Sequence, residues 1–105
     1  MTNKKIAIWG CGDIGHKFIK EYKDKVKIDC IIDSKVKNQK LINIEGTEYS
    51  IFNPEYLRTN PVFVIVCIKN SKEQIYSKLK EFGMTMFNDL FRILNLMKTV
   101  LTVNN

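Results

Sequence analysis

The sequence predicts an α/β fold of three layers, in which helices cover both faces of a parallel sheet. Two observations support this. Short apolar runs alternate along the chain with segments whose apolar residues recur at helical spacing. The most apolar run, Val62–Ile68, contains three valines and two isoleucines, as expected of a central strand buried on both faces. The 105 residues, 45% of them hydrophobic, suffice for one domain over residues 1–105, either complete or part of a longer protein.

The N-terminal part of the chain is predicted to form a strand, a helix and a second strand. Lys5–Trp9 is a short apolar run that ends at a glycine, which indicates a buried first strand. A helix follows from Asp13. Its apolar residues recur at helical spacing: Ile14, Phe18, Ile19 and Tyr22. The second strand is Val26–Ile32, directly before Asp33.

The second crossover is abbreviated. The segment between Asp33 and the next candidate strand, Tyr49–Phe52, is polar and too short for a full helical crossover. We expect mostly loop here, with room for a small strand at Leu41–Ile44 and a turn at Gly46–Thr47. A short helix then begins at Asn53–Pro54, because a capping side chain precedes a proline at the first helical position.

The C-terminal part continues the alternation. The capping box at residues 71–74, Ser-Lys-Glu-Gln, opens a helix that Gly83 closes. Met84–Phe87 is predicted as the last parallel strand, and Asp89 as the cap of a final helix over Leu90–Leu101. With five parallel strands, the expected order in the sheet is 3-2-1-4-5.

Three of the five glycines form the pattern G-x-G-x-x-G at Gly10, Gly12 and Gly15. The pattern lies between a predicted strand and a predicted helix, the context in which it binds phosphates. The first glycine permits the tight turn, the second lets a pyrophosphate approach the backbone, and the third lets the helix pack closely on the strands. The N-terminus of the helix adds unpaired N–H groups and the positive end of its dipole. Asp13 is expected to cap the helix or favour its first turn.

An acidic partner follows the second strand. Dinucleotide-binding folds place a carboxylate such as Asp33 on the ribose hydroxyls, where it would repel a 2′-phosphate and favour NAD(H) over NADP. Lys35 and Lys37 could nevertheless accommodate that phosphate. We predict NAD(H) or another nucleotide as the cofactor, bound by Gly10, Cys11, Gly12, Asp13, Ile14, Gly15, Asp33, Ser34, Lys35, Lys69 and Asn70. The alternative is that the glycines only form a tight turn and Asp33 only caps the strand.

These residues resemble a known group, the small Rossmann-like domains of bacterial surface-polysaccharide and nucleotide-sugar enzymes. The pattern I-x-I-W-G-C-G-D-I-G-H-K at residues 6–17 is similar to the start of those domains, I-Y-G-A-G-x-x-G-K. Residues 30–34 resemble their F-I-D-D/N segment, and residues 46–57 their G-x-x-V-x-x-P-E-x-L element. Residues 62–68 and 74–83 are similar to the strand and helix that follow. The resemblance covers nearly the whole chain.

The resemblance implies a nucleotide or nucleotide-sugar binding module, since such domains occur beside epimerase, dehydratase, acetyltransferase, methyltransferase or glycosyltransferase modules. By itself the chain is not expected to be a complete enzyme. A second interpretation is a non-catalytic interaction module that forms a homodimer or docks on a partner domain through Leu90–Leu101. A third is a CoA-type or redox-sensing module that uses Cys11, since the N-terminus of a helix favours a thiolate.

Composition and motifs exclude several other functions. Fifteen of the seventeen basic residues behind the net charge of +6 are lysines, scattered over several segments, so nucleic acid is not expected as a partner. The three cysteines show no C-x-x-C spacing and the chain has one histidine, so no metal site is predicted. There is no Ser–His–Asp set and no G-x-x-x-x-G-K-[ST] loop, and we predict no catalytic residue. No apolar run is long enough to span a membrane, and we expect a cytoplasmic protein.

Overall fold

The computed structural model describes residues 5–60, 62–68, 72–87 and 99–102 of the chain. The helices are α1 (Asp13–Tyr22), the short 3₁₀ helix η1 (Pro54–Arg58) and α2 (Lys72–Glu81). The strands are β1 (Ile6–Trp9), β2 (Ile28–Ile32), β3 (Lys40–Ile44), β4 (Thr47–Phe52), β5 (Phe63–Val66), β6 (Thr85–Phe87) and β7 (Thr99–Thr102). Within this part of the chain, no helix has both the length and the apolarity that crossing a membrane requires.

The strands form one mostly parallel sheet in the order β3-β4-β2-β1-β5-β7-β6. The α/β class is therefore confirmed, and the central neighbours β4-β2-β1-β5 are parallel as expected. The predicted order 3-2-1-4-5 is wrong at both edges. An antiparallel strand, β3, is added beside β4, and β7 lies between β5 and β6, which were predicted to be neighbours.

Alternation of side chains along the strands produces two cores, one on each face of the sheet. In β1, Ile6 and Ile8 point to the face that α1 covers with Ile19. The intervening Ala7 and Trp9 point to the opposite face, where Leu57 of η1 and Leu79 of α2 pack. Because both faces are covered, all four residues of β1 are buried and the strand reads as a continuous apolar run.

The abbreviated second crossover is an antiparallel hairpin of β3 and β4. Its turn residues, Glu45 and Gly46, both have positive φ (51° and 85°), as a two-residue hairpin turn of type I′ requires. Asn43 Oδ1 accepts a hydrogen bond of 3.1 Å from the Gly46 N–H and fixes the turn. The strand expected at Tyr49–Phe52 therefore begins earlier, at Thr47, and the small strand at Leu41–Ile44 is its partner.

The final helix predicted over Leu90–Leu101 is wrong for its last residues. Thr99–Thr102 form β7, whose backbone pairs with β5 on one side and β6 on the other. Threonine and valine are β-branched and favour strands, and pairing on both sides outweighs the helical pattern. Residues 88–98, including the cap at Asp89, lie outside the described residues, as does the capping serine at position 71. Docking or dimerisation through this segment stays a prediction.

Two buried thiols give the fold a specific dependence on pH. Burial raises the pKa of Cys30 to about 12, with a contribution from neighbouring Asp29, and burial likewise raises the pKa of Cys67 to about 12 from 9.0. The unfolded chain ionises these thiols above pH 9 while the folded chain keeps them neutral. Their stabilising contribution is therefore complete below pH 9 and is lost between pH 9 and 12, at up to about 1.4 kcal/mol per pH unit and thiol.

Urea denaturation at pH 8, 9 and 10 checks this dependence. We expect the free energy of unfolding to fall above pH 9 in the natural chain and to fall less in a Cys30→Ala/Cys67→Ala variant. The variant will be less stable at pH 8, since it loses buried volume, so the comparison concerns the slope only. If the free energy of unfolding fell equally with pH in the two proteins, the raised pKa values of Cys30 and Cys67 could not be the cause.

Candidate functional site

The loops that follow β1 and β2 open onto one cleft of about 720 Å³ at the carboxyl ends of the parallel strands. This edge of an open α/β sheet is where ligands bind. From the first loop and the end of β1, the cleft is lined by Trp9, Gly10, Cys11, Gly12, Asp13 and Ile14. From the second loop it is lined by Asp33, Ser34 and Lys35. Eight of the eleven predicted binding residues therefore meet in one place.

Gly10 makes the turn out of β1 with a φ of +127°, a conformation that residues with a Cβ rarely adopt. A Cβ there would lie only 2.5 Å from the carbonyl oxygen of Cys67, which directly follows the neighbouring strand β5. The loop is fixed on both sides, because the Gly10 N–H donates to the Ile32 oxygen (3.0 Å) and the Cys67 N–H donates to the Trp9 oxygen (2.9 Å). Its backbone therefore has one defined course into the helix.

Gly12 and Gly15 play different parts. A Cβ on Gly15 would overlap the carbonyl oxygen of Gly10, so this glycine lets α1 pack directly against the turn. It is buried and does not line the cleft, and its predicted place among the binding residues stays a prediction. Gly12 is exposed at the mouth of the cleft, and a Cβ there would meet nothing within 4 Å. The space above it is open to a ligand.

The N-terminus of α1 faces the cleft without a side-chain cap. The N-cap residue is Gly12, and no side chain caps the helix by a hydrogen bond. The prediction that Asp13 caps the helix is therefore wrong. Asp13 instead lies in the first turn, where a carboxylate is favourable to the helix dipole. His16 is exposed, its Nδ1 lies 2.9 Å from the Gly12 oxygen, and it does not line the cleft.

Asp33 is held rigidly at the end of β2. Its N–H donates to the Phe52 oxygen of β4 (3.0 Å), and its Oδ1 accepts from the Lys35 N–H (2.9 Å) in a side-chain turn. The loop is also tied to η1, because Asn53 Nδ2 donates to the Val36 oxygen at 2.8 Å. The carboxylate thus has a fixed position beside the cleft, half-buried and at the end of the strand next to the one that leads into the glycine loop.

Cys11 does not have the character of a reactive thiolate. Burial raises its pKa, and the negative charge of Asp33 raises it further. Both effects oppose the thiolate that the redox interpretation requires. The thiol is better described as a small, partly buried apolar group that packs against the core on the α1 side.

Sequence reasoning missed a third wall of the cleft. It consists of Cys67 and Ile68 after β5, and of Gln74, Ile75 and Lys78 on α2. The positions on α2 recur at a spacing of three to four residues and share one side of the helix. The order of strands and helices could have revealed these residues, because a helix that follows a parallel strand begins at the sheet edge where the cleft lies. The two remaining predicted residues, Lys69 and Asn70, lie outside the described residues.

One spacing associated with proton donation in hydride-transferring enzymes, Tyr-x-x-x-Lys, occurs at Tyr76 and Lys80 on α2. The ring of Tyr76 packs against the core on the α2 side, and neither residue lines the cleft. The pair therefore has no place in the chemistry of the site. Among the described residues, no group of three or more His, Cys, Asp or Glu side chains could hold a metal ion.

Comparison with known proteins bears on the fold. No protein-family model and no curated protein matches the chain. Among solved structures, it is similar to aspartate semialdehyde dehydrogenase II from Vibrio cholerae, determined in complex with ASA. The TM-score is 0.56 at 11% sequence identity, and the likeness covers 96% of this chain and 42% of the dehydrogenase chain. This chain therefore has the fold of part of a dehydrogenase and spans less than half of its length.

Proposed function

We propose that the chain binds a nucleotide in this cleft, with its phosphates on the glycine loop and its ribose on Asp33. The observation that carries the proposal is that the loop after β1 and the carboxylate after β2 line the same cleft. NAD(H) and nucleotide sugars are the candidate ligands. The chain would act as a binding module rather than as a complete enzyme.

The phosphate end of the proposal depends on the backbone around Gly12. The glycine presents no Cβ, and the space above it is free to 4 Å. The first N–H groups of α1 have no partner within the helix and carry the positive end of its dipole. An anion that rests there gains hydrogen bonds from the main chain itself, in the manner of other helix N-termini that follow a parallel strand.

The ribose and base would extend from there across the cleft. Asp33 can accept hydrogen bonds from ribose hydroxyls. On the other side of the glycine loop, after β5, the apolar side chains of Ile68 and Ile75 offer a surface against which a second planar group of the ligand can lie. The likeness to a dehydrogenase supports a dinucleotide, and the resemblance to surface-polysaccharide domains supports a nucleotide sugar.

A panel of NAD⁺, NADH, UDP-glucose and AMP tests the proposal. A ligand present at about 100 times its Kd should stabilise the fold by about 2.7 kcal/mol and raise the melting temperature by several degrees. Titration followed by amide NMR should shift the signals of residues 11–14 and 33–35, and leave the turn at Glu45–Gly46 unchanged as an internal control. No stabilisation by any of the four at millimolar concentration would refute nucleotide binding.

A further inference from the structure

The strand β3 lies at one edge of the described sheet, so one side of its backbone has no neighbouring strand there. Its pairing with β4 runs without interruption along all five residues. The strand contains neither a proline nor a bulge, two of the devices that protect sheet edges, and the other edge strand, β6, has only three residues. Of the two edges, β3 is therefore the one that an additional strand can extend.

The register of the hairpin shows which backbone groups of β3 point away from β4. Ile44 and Thr47 flank the two-residue turn and form a hydrogen-bonded pair. Hydrogen-bonded and non-hydrogen-bonded pairs alternate along an antiparallel ladder, so the N–H and C=O groups of Leu41 and Asn43 point outward. An added strand would therefore pair with the main chain of these two residues.

The side chains on this edge include one apolar group and two amides. Leu41 is 61% exposed, and among the described residues it is the one large apolar side chain that is exposed. Gln39 Nε2 donates to Ser50 Oγ, beside Leu41, at 2.9 Å, and Asn43 Oδ1 accepts the Gly46 N–H at 3.1 Å. The remaining amide atoms, Gln39 Oε1 and Asn43 Nδ2, have no partner among the described residues.

We propose that the chain forms a twofold dimer in which β3 pairs antiparallel with β3 of a second copy, with Leu41 on the axis. Leu41 then lies opposite Leu41 of the second copy, which removes both side chains from water. Gln39 lies opposite Asn43, so at both ends of the interface a free Oε1 can accept a hydrogen bond from a free Nδ2. The two neighbouring registers would place Leu41 opposite Gln39 or Asn43, an apolar side chain against an amide.

The charges around the edge agree with this register. Continued beyond the strand, it brings Lys37 towards Glu45 of the second copy, twice in the dimer. Both side chains are exposed, and neither forms an ion pair with another described residue. Lys40, the one lysine of β3, lies on the other face and opposite Ile42 of the second copy, where its aliphatic stem can cover that side chain. A second copy of this chain therefore complements the edge in shape, hydrogen bonding and charge.

Sedimentation equilibrium of the 105-residue chain between about 10 μM and 1 mM tests the inference. We expect a reversible dimer with a Kd of about 100 μM, as a small interface gives. Leu41→Lys should weaken association at least about tenfold, because it places two like charges against each other on the axis. Ser77→Lys, the matched control, adds the same charge at an exposed position of α2 outside the cleft and should leave the Kd unchanged. Circular dichroism should show that both variants fold.

Amide hydrogen exchange locates the contact. Above the dimer Kd, the N–H groups of Leu41 and Asn43 should exchange severalfold more slowly than below it. The amides in the first turn of α1, which also lack a partner within their helix, should exchange equally at both concentrations. Exchange at Leu41 and Asn43 that does not change with concentration would refute pairing through β3.

Charge reversal tests the register. Lys37→Glu and Glu45→Lys should each weaken the dimer by about twofold to fivefold, and the double variant should restore it. If it does not, the register is refuted. A chain that stays monomeric at 1 mM refutes the dimer itself. A dimer that Leu41→Lys leaves intact also refutes the inference, and Leu90–Leu101 is then the predicted contact. None of these measurements involves a nucleotide, so their outcome is independent of the proposed function.

Discussion

Gly15→Ala should lower the free energy of unfolding by about 3 kcal/mol or more. The added Cβ would overlap the carbonyl oxygen of Gly10, which is a backbone atom and cannot rotate aside. The Gly10 N–H is bonded to the Ile32 oxygen at 3.0 Å, so the turn is also held by β2. The overlap can be relieved only if α1 moves away from the sheet, which would expose Ile19, now 1% exposed. Urea denaturation followed by circular dichroism measures the loss.

Gly12→Ala is the matched control for this prediction. The same methyl group is added three residues earlier, where φ is −93° and no atom lies within 4 Å. We expect a cost below about 1 kcal/mol, which reflects the poorer N-cap propensity of alanine. A stability loss in Gly12→Ala equal to that in Gly15→Ala would show that the close contact between α1 and the turn is not the cause.

The two glycine variants show what the G-x-G-x-x-G pattern can predict about the fold. The spacing between Gly10 and Gly15 was sufficient to predict a strand, a tight turn and a closely packed helix, because each requirement is local and only glycine meets it. The run Val62–Ile68 was likewise predicted as central, since burial on both faces leaves a direct signature in composition. In the structure, β1, the strand that leads into the glycine pattern, pairs in parallel with β5 of this run.

The elements that could not be predicted are those that depend on distant partners. Thr99–Thr102 follow a stretch with helical spacing, and only the space between β5 and β6 makes them a strand. In the cleft, Lys78 and Gln74 look like ordinary solvent-facing residues of α2 in the sequence. Their place in the site follows from how α2 lies against the sheet, which a single sequence does not specify.

Asp33→Asn should weaken nucleotide binding by about tenfold to a hundredfold, since a hydrogen bond to a charged group contributes about 1.5–3 kcal/mol. The amide keeps the size of the side chain, and its oxygen can still accept the Lys35 N–H that closes the turn. The variant therefore removes the charge and leaves the loop in place. Titration of the two proteins with AMP and with its 2′- and 3′-deoxy analogues identifies the hydroxyl that Asp33 holds. The analogue that lacks this hydroxyl should bind both proteins with similar affinity.

A second readout of the same variant does not require a ligand. The charge of Asp33 contributes to the raised pKa of Cys11, so the pKa of this thiol should fall in Asp33→Asn. Cys30 and Cys67 are buried, so alkylation by iodoacetamide at pH 8 reports mainly on Cys11 and should be faster in the variant. Faster alkylation with unchanged nucleotide affinity would place Asp33 beside the loop and deny it a role in binding. Unchanged alkylation would show that the charge of Asp33 does not raise the pKa of Cys11.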